Sequence, residues 1–322
     1  MAEATETTYE AIRTATARRV VARDGLVVSG PGALEWLQGQ VSQDLAPLAK
    51  GAGAGGADAS VETLVLSPQG KIDSSCRVTA LGADRYLLDV RAGFGEALHE
   101  RLRRFKLRVK ADVEPLRGLS LLQVRGPRTP SPAELSSSLG PAVMAVVEVD
   151  WPGWSGRDVL LLAPQGKQPE PALDGGAEGD DEAFEAVRIE AGVPELGLEL
   201  TERTIPQEAG ALVARAVSFT KGCYTGQELV ARIDARGGNT PRRLFGLVIG
   251  GAVESAPAPG DEVVVGAARV GELTSVAWSS GMQAHVGLAF IKRGTDTSGE
   301  AHVTTATGAA PASIRSLPLS GG

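Results

Sequence analysis

The alternation of apolar and polar residues divides the chain into two regions of different texture. In the first region, Leu34, Leu37, Val41 and Leu45 recur at helical spacing, which predicts an amphipathic helix. The strand-like stretches "VETLVLS" and "IDSSCRVTAL" flank the turn "PQGK" and predict a hairpin. From Arg242 onward only short strand-like runs remain, separated by glycine-containing turns. The pattern therefore predicts an α+β region followed by a small β-barrel.

The length of the chain agrees with more than one domain. A chain of 322 residues exceeds what a single hydrophobic core usually supports. We place the boundary in the glycine-rich turn at 236–241, which gives an α+β region at 1–240 and a barrel domain at 241–322. The stretches 46–60 and 164–182 contain little that could be buried, so we expect two exposed, flexible segments there.

Composition and charge exclude several functions. A net charge of −7 argues against nucleic acid as the main partner, because phosphate binding needs a dense basic face. No apolar run approaches the ~20 residues that cross a bilayer, and the first residues lack the apolar core of a secretory signal. A bacterial cytoplasm is the expected location. With scattered histidines and no CxxC pair, we expect no metal site from this chain alone.

The motif "KGCYTGQE" holds one of the two cysteines. Lys221 lies two residues before Cys223, and a helix is predicted to begin near Gly226. A nearby cation and a helix N-terminus both favour the thiolate, which makes the sulfur a nucleophile or a soft metal ligand. Alternatively, Cys223 is a small buried apolar residue. The other cysteine, Cys76, alternates like a strand residue that faces a core, so we expect it to be buried.

A second motif, "RIEAG", ends a predicted helix that Gly192 and Pro194 stop. The Glu190 carboxylate could accept hydrogen bonds from a heterocycle with adjacent N–H donors, such as a pterin or guanine. Phe184 lies six residues earlier, close to one and a half turns away. The alternative is a solvated glutamate and a core phenylalanine. "GAGAGG" fits GxGxxG in letters, but a helix precedes it and a strand follows, so we reject it as a dinucleotide site.

Together these segments resemble the YgfZ family, folate-binding proteins related to the T-protein (aminomethyltransferase) of the glycine cleavage system. The resemblance runs over roughly 20–316 and is carried in order by "SGPGALEWLQGQVSQDL", "SPQGKI", "RIEAGVPELG", "TIPQEAG" and "KGCYTGQELVARIDARGGN". It implies a ring of three domains around a central channel: two interwoven α+β domains and a C-terminal antiparallel β-barrel.

The resemblance also implies a function. Members assist the assembly or repair of iron–sulfur clusters in client enzymes, including radical enzymes that modify tRNA. Tetrahydrofolate or a derivative is the implied cofactor. Iron–sulfur client enzymes or assembly proteins are the implied partners, with no direct contact to nucleic acid. The predicted site comprises Cys223, Lys221 and Asp73 as reactive residues, and Glu190, Phe184, Arg188, Tyr224 and Gln227 as folate contacts, with the Cys223 sulfur facing the folate channel.

One departure from the T-protein pattern bears on the chemistry. T-proteins carry paired acids after a glycine turn, whereas "GKIDSS" offers Asp73 followed by Ser74. One acid of the pair is kept and the other is lost. A tetrahydrofolate-dependent aminomethyl- or methyltransferase therefore stays the alternative, and the signature cysteine favours the iron–sulfur function.

Overall fold

The computed structural model describes residues 2–50, 57–162, 177–251 and 255–319. Its seven helices in these ranges are α1 Ala2–Thr14, α2 Ala33–Gln40, α3 Gly95–Arg104, α4 Pro132–Leu139, α5 Asp181–Glu190, α6 Leu212–Ala216 and α7 Gln227–Ala235. Short 3₁₀ helices lie at Ala46–Lys50, Gly140–Ala142 and Pro206–Ala209.

The strands of the α+β region are β1 Ala17–Ser29, β2 Ser60–Leu66, β3 Ile72–Ala80, β4 Arg85–Arg91, β5 Asp112–Leu116, β6 Leu119–Arg125, β7 Val143–Trp151, β8 Trp154–Leu162 and β9 Ala177–Glu178. The remaining strands are β10 Arg242–Ile249, β11 Glu262–Val265, β12 Ala268–Ser279, β13 Ala284–Lys292, β14 Ala301–Thr305 and β15 Gly308–Arg315.

Strand β1 joins the two halves of the α+β region. The main sheet has the order β2-β3-β4-β1-β6-β8-β7, and β5 and β9 also pair with β1. The first half of β1, residues 17–22, pairs with β6, whereas its second half, residues 23–29, pairs with β4. One 13-residue strand thus belongs to two groups of strands, which is the interweaving that the family resemblance implies. The predicted β2–β3 hairpin is confirmed as well.

The C-terminal strands form a closed barrel, as predicted. Its strand order is β10-β13-β12-β11-β14-β15. All of its strand pairs are antiparallel. Helices α1 and α5 pack against the outside of this barrel, where Ile12, Phe184, Val187 and Leu288 belong to one buried cluster. The barrel and the sheet region are therefore joined through these two helices.

Several local predictions can be compared with the described residues. Ser131 caps α4 with a capping box to Glu134, and Pro132 fills the first turn. The predicted flexible segments lie largely outside the described ranges. Of their described parts, Ala46–Lys50 is a 3₁₀ helix and Ala177–Glu178 pairs with β1. No helix in the described ranges has the length and apolarity that crossing a membrane requires.

Candidate functional site

Glu190 lies at a cavity where four elements of the molecule meet. Its walls come from α1, from the β7–β8 hairpin, from the end of α5 and from the β12–β13 turn of the barrel. The volume is about 490 Å³, within the range of roughly 300–1,000 Å³ that small-molecule sites have. The lining includes Tyr9, Arg13, Trp154, Ser155, Glu190 and Met282.

The Glu190 carboxylate is buried, and the hydroxyl groups of Tyr9 and Ser279 are hydrogen-bonded to it. Tyr9 donates from its Oη to Glu190 Oε2 at 2.9 Å and lies 3.1 Å from Oε1. Burial raises the pKa of the Glu190 carboxyl above its ordinary value, and burial together with the Glu190 charge raises the pKa of Tyr9. Trp154 packs edge-on to Tyr9, with ring centroids 5.8 Å apart. Its buried indole Nε1–H has no hydrogen-bond partner among the described residues.

Phe184 does not share this cavity with Glu190. The ring is 1% exposed and packs under the Arg19 guanidinium, 4.7 Å from its centroid. The physical reason is helical geometry. Six residues at 3.6 per turn amount to about 600°, which leaves the two side chains about 120° apart around α5. The prediction that Phe184 shares a cavity with Glu190 is therefore corrected. The aromatic rings at this cavity are those of Tyr9 and Trp154.

Arg188 holds α5 to the loop that follows it and to the barrel. All five of its N–H donors are used: Nε and Nη2 bond to Glu185, Nη1 bonds to Val193 O and Glu199, and Nη2 also bonds to Ser275 Oγ. The side chain lines a different, central cavity. No N–H donor of Arg188 is left for a ligand. Arg188 therefore stabilises the fold, whereas the sequence predicts it as a folate contact.

The central cavity is small and rich in guanidinium groups. Its volume is about 160 Å³, below the usual range for a small-molecule site. Its described lining includes three carboxylates and six arginines, namely Arg19, Arg23, Arg77, Arg91, Arg188 and Arg215. Cys76 also lines it and is buried, as predicted, and burial raises the pKa of its thiol to about 12. This thiol is therefore protonated at neutral pH.

The motif "KGCYTGQE" forms a loop between α6 and α7, which we call the cysteine loop (residues 217–226). Cys223 is exposed, and its side chain is not among those that line the central cavity or the cavity at Glu190. Lys221 Nζ donates to Val41 O and Gln43 O, both at 2.8 Å. Burial lowers the pKa of Lys221 to about 8. The ammonium group thus fastens the loop to the chain after α2.

The glycine at the end of this loop permits a close approach. Gly226 has φ +82 and is the N-cap of α7. A Cβ here would lie 2.5 Å from Ser67 O in the β2–β3 turn, so only glycine fits. The cysteine loop is therefore held against that turn as well as against α2.

Tyr224 and Gln227 support this loop. The Tyr224 ring is buried in the core of the α+β region, and its hydroxyl has no partner among the described residues. The side-chain oxygen of Gln227 accepts a hydrogen bond from the Tyr224 backbone N–H at 3.3 Å. Neither residue lines the cavity at Glu190, so the structure does not bring these predicted folate contacts to the Glu190 carboxylate.

Asp73 lies on β3 and forms an ion pair with Arg101 on α3, with 3.1 Å between Oδ2 and Nε. Arg101 also donates to Leu66 O beside the β2–β3 turn. Asp73 is therefore at the same end of the molecule as the cysteine loop. It lines neither the central cavity nor the cavity at Glu190.

Two residues of the cavity, Tyr9 and Trp154, were not predicted from the sequence. The only signal in the sequence is rarity, since aromatic residues make up 4% of the chain. No group of three His, Cys, Asp or Glu residues that could hold a metal ion is found in the described part of the chain.

Comparisons with known proteins agree with this architecture. The family model of the glycine cleavage T-protein C-terminal barrel domain matches residues 242–320. The tRNA-modifying protein YgfZ of Edwardsiella ictaluri is 30% identical over 238 residues, which cover 68% of this chain and 67% of the relative. The chain belongs to the YgfZ family. The YgfZ protein of Yersinia pestis (strain Pestoides F) is 29% identical over 253 residues, which cover 74% of this chain and 72% of the relative.

A solved structure is similar to this chain over nearly its whole length. The glycine cleavage system aminomethyltransferase T from Bartonella henselae aligns with a TM-score of 0.79 over 98% of this chain and 89% of its own. Its sequence identity is 19%, so the likeness concerns the fold alone. The resemblance that the sequence predicts, both to the YgfZ family and to the T-protein fold, is confirmed.

Proposed function

We propose that this YgfZ-family protein is a tetrahydrofolate-binding accessory factor for the assembly or repair of iron–sulfur clusters in client enzymes. The relatives named tRNA-modifying proteins support clients that act on tRNA. The net charge of −7 favours an effect on such enzymes rather than on the RNA itself. The proposed place of action is the bacterial cytoplasm.

The observation that carries the folate part is a buried carboxylate at a cavity with aromatic walls. A pterin ring presents adjacent N–H donors on one edge. Glu190 supplies a carboxylate acceptor for that edge, and Trp154 lines the same cavity.

The size and walls of the cavity also fit this ligand. About 490 Å³ accommodates a pterin-sized ring, whereas the central cavity of about 160 Å³ is too small for it. Tyr9 and Trp154 offer aromatic surface, and Arg13 offers a cation. Tetrahydrofolate bound here would supply a carrier for a one-carbon unit.

The iron–sulfur part rests on the family and on the exposure of Cys223. An exposed thiol on a surface loop is accessible to a protein partner, and its thiolate is a soft ligand suited to iron–sulfur clusters. The cluster is cargo in this proposal, and it contacts the protein at the cysteine loop. Lys221 and Gly226 keep the loop in place rather than take part in the chemistry.

The alternative, aminomethyl or methyl transfer, needs an acid beside the folate. Asp73 is paired with Arg101 at the other end of the sheet region and does not line the cavity at Glu190. This geometry favours the accessory role over the transferase.

A tetrahydrofolate titration by calorimetry tests the folate part. We expect tetrahydrofolate to bind Glu190→Gln about tenfold or more weakly than wild type, because the change removes a hydrogen bond to a charged acceptor, worth about 1.5–3 kcal/mol. Arg91→Gln in the central cavity is the matched control and should bind normally. If Arg91→Gln weakens binding and Glu190→Gln does not, the ligand lies in the central cavity and the placement is wrong. No binding to wild type refutes the folate part altogether.

The iron–sulfur part is tested in cells that lack the native gene. Wild type should restore the activity of iron–sulfur enzymes that modify tRNA, and Cys223→Ser should not. Cys76→Ser is the matched cysteine control and should retain the activity. Full activity of Cys223→Ser would contradict the proposal.

A further inference from the structure

A strongly basic segment lies on the surface of this acidic chain. Residues 101–110, "RLRRFKLRVK", contain six Lys or Arg residues and no acid, although the chain as a whole carries −7. We call them the basic segment; they end α3 and lead to β5. Two of its cations form ion pairs, Arg101 with Asp73 and Lys106 with Asp112. Four further cations of the segment are exposed and form no ion pair with the described residues, namely Arg103, Arg104, Arg108 and Lys110.

Apolar side chains are exposed among these cations. Leu107 is 79% exposed and Phe105 is 37% exposed, both within the basic segment. The third exposed large apolar residue of the described chain is Phe219, in the cysteine loop. Isolated apolar residues on a surface need no explanation, but these three are confined to two neighbouring segments. Apolar side chains surrounded by charged ones are typical of a surface that binds another macromolecule.

Helix α2 connects the basic segment to the cysteine loop. At its first end, Gly32 N–H donates to Lys110 O at 3.0 Å, and the Trp36 indole donates to Phe105 O at 3.4 Å. Since α2 has eight residues, its two ends are about 12 Å apart.

At the other end of α2, the contacts are with the cysteine loop. Thr225 N–H donates to Gly39 O at 3.4 Å, and Lys221 Nζ donates to Val41 O at 2.8 Å. A cavity of about 590 Å³ runs along α2 between these contacts, and its lining includes Trp36, Gly39, Gln40, Arg108 and Lys110. The basic segment and the cysteine loop therefore contact opposite ends of the helix that lines this cavity.

We propose that the basic segment, this α2 cavity and the cysteine loop form one docking surface for an acidic protein segment that carries a large apolar side chain. The acidic residues would pair with the free cations, and the apolar side chain would enter the cavity beside Trp36. The partner would then lie next to Cys223. Identifying this partner as an iron–sulfur client rests on the proposed function.

The observations favour a protein over RNA. Leu107 is aliphatic and cannot stack on a base, and the face of Phe105 is covered by the Arg101 guanidinium at 3.9 Å from its centroid. Glu35 lines the same cavity, so an anionic group is disfavoured inside it and an apolar side chain is the better occupant. The net charge of −7 also opposes the approach of a polyanion as dense as RNA.

A disulfide-exchange assay tests the docking surface. The probe is a peptide of glutamates and two leucines, with one cysteine joined to 5-thio-2-nitrobenzoate. The Cys223 thiolate attacks the peptide sulfur, the mixed disulfide forms, and the coloured thionitrobenzoate anion leaves. Cys223→Ser provides the blank. We expect the acidic peptide to react at least about tenfold faster than the same peptide with glutamine for glutamate, and salt to reduce the difference.

Two double variants of equal charge decide the location. Arg103→Gln with Lys110→Gln should remove most of the acceleration, and Leu107→Ser should remove part of it. Arg293→Gln with Arg315→Gln, on the barrel, should leave it unchanged. Equal rates for the two peptides, or equal loss in both double variants, would overturn the proposal.

The competitor identifies the class of partner. Unlabelled acidic peptide should suppress the reaction, and transcribed tRNA at equal total negative charge should suppress it less. Stronger suppression by tRNA overturns the assignment to a protein. The same variants are titrated with tetrahydrofolate. A variant that binds folate normally but loses the acceleration shows that the docking surface is separate from the folate site. If wild type shows the acceleration but binds no folate, the proposed function fails and the docking surface stands.

Discussion

The surroundings of Glu190 and those of Cys223 are built in opposite ways. Glu190 is 1% exposed and lies where α1, the β7–β8 hairpin, α5 and the barrel meet. Cys223 is exposed on a loop that is fastened by backbone carbonyl oxygens after α2 and by a glycine contact at the β2–β3 turn. In the proposed function, the first arrangement selects a small molecule by shape and hydrogen bonds. The second presents a sulfur to whatever approaches from outside.

This difference changes how the two motifs are understood. As sequences, "RIEAG" and "KGCYTGQE" suggest one shared cavity. In the structure, the first places a carboxylate at a cavity of about 490 Å³, and the second forms a loop with an exposed cysteine. The proposed ligand binding and thiol chemistry therefore belong to separate surfaces of one molecule. The three predictions below test how independent these surfaces are.

The largest expected effect is on stability, from Arg188→Met. The change removes five hydrogen bonds and leaves the Glu199 carboxylate, which is 0% exposed, without its cation. Breaking a buried ion pair in this way costs about 3–5 kcal/mol. We expect urea denaturation to report a loss of this size in the free energy of unfolding.

Arg215→Met is the control for this change, because Arg215 pairs with a half-exposed Glu62 and should cost less than about 1 kcal/mol. Under native conditions, the alkylation rate of Cys223 should be the same in Arg188→Met as in wild type. A changed rate would mean that the two surfaces are coupled through α5.

A smaller effect is expected from Gly226→Ala, which disturbs the other surface. Alanine at φ +82 costs about 1–2 kcal/mol, and its Cβ would collide with Ser67 O. The loop must then shift, so alkylation of Cys223 should change while tetrahydrofolate binding stays normal.

Gly222→Ala is the matched control for the loop. A Cβ on Gly222 meets nothing within 4 Å, so this variant should alkylate and melt like wild type. If both alanine variants behave alike, the contact of Gly226 with the β2–β3 turn does not hold the loop in place.

The smallest expected effect is a pH dependence from Glu190. Burial raises the pKa of its carboxyl in the folded protein, so the folded state binds the proton more tightly than the unfolded state. The stability that Glu190 contributes is therefore present below about pH 4.3, the ordinary pKa of glutamate, and is lost as the pH rises through the folded pKa. Relative to Glu190→Gln, wild type should lose free energy of unfolding as the pH rises above about 4.3.

Tyr9→Phe sharpens this prediction. The Tyr9 hydroxyl stabilises the ionised carboxylate, so its removal should make the loss with pH larger. A pH-independent difference between wild type and Glu190→Gln would contradict the burial of an ionisable carboxyl at this place.

The parts of the fold that depend on residues close together in the sequence were predictable. The β2–β3 hairpin and the barrel follow from period-two alternation and glycine turns. The double pairing of β1 was accessible only through the family resemblance. No local pattern states that one strand has two different sets of neighbours.

The site was predictable only in pieces. Glu190 and Cys223 were found because their motifs are unusual, but a motif does not state what covers it. Tyr9 reaches Glu190 from 181 positions away in the sequence. Phe184 was misplaced because its orientation depends on the 120° that separates it from Glu190 around α5. Long-range packing of this kind leaves no mark in a single sequence.

The shared strand has a consequence for how this gene can recombine. An exchange between relatives that falls within codons 17–29 would combine half of β1 from one parent with half from the other, so each half-strand must suit partners inherited from elsewhere in the chain. An exchange in the turn before β10 cuts no strand. Chimeras of this family should therefore tolerate a substituted barrel far better than a crossover inside codons 17–29.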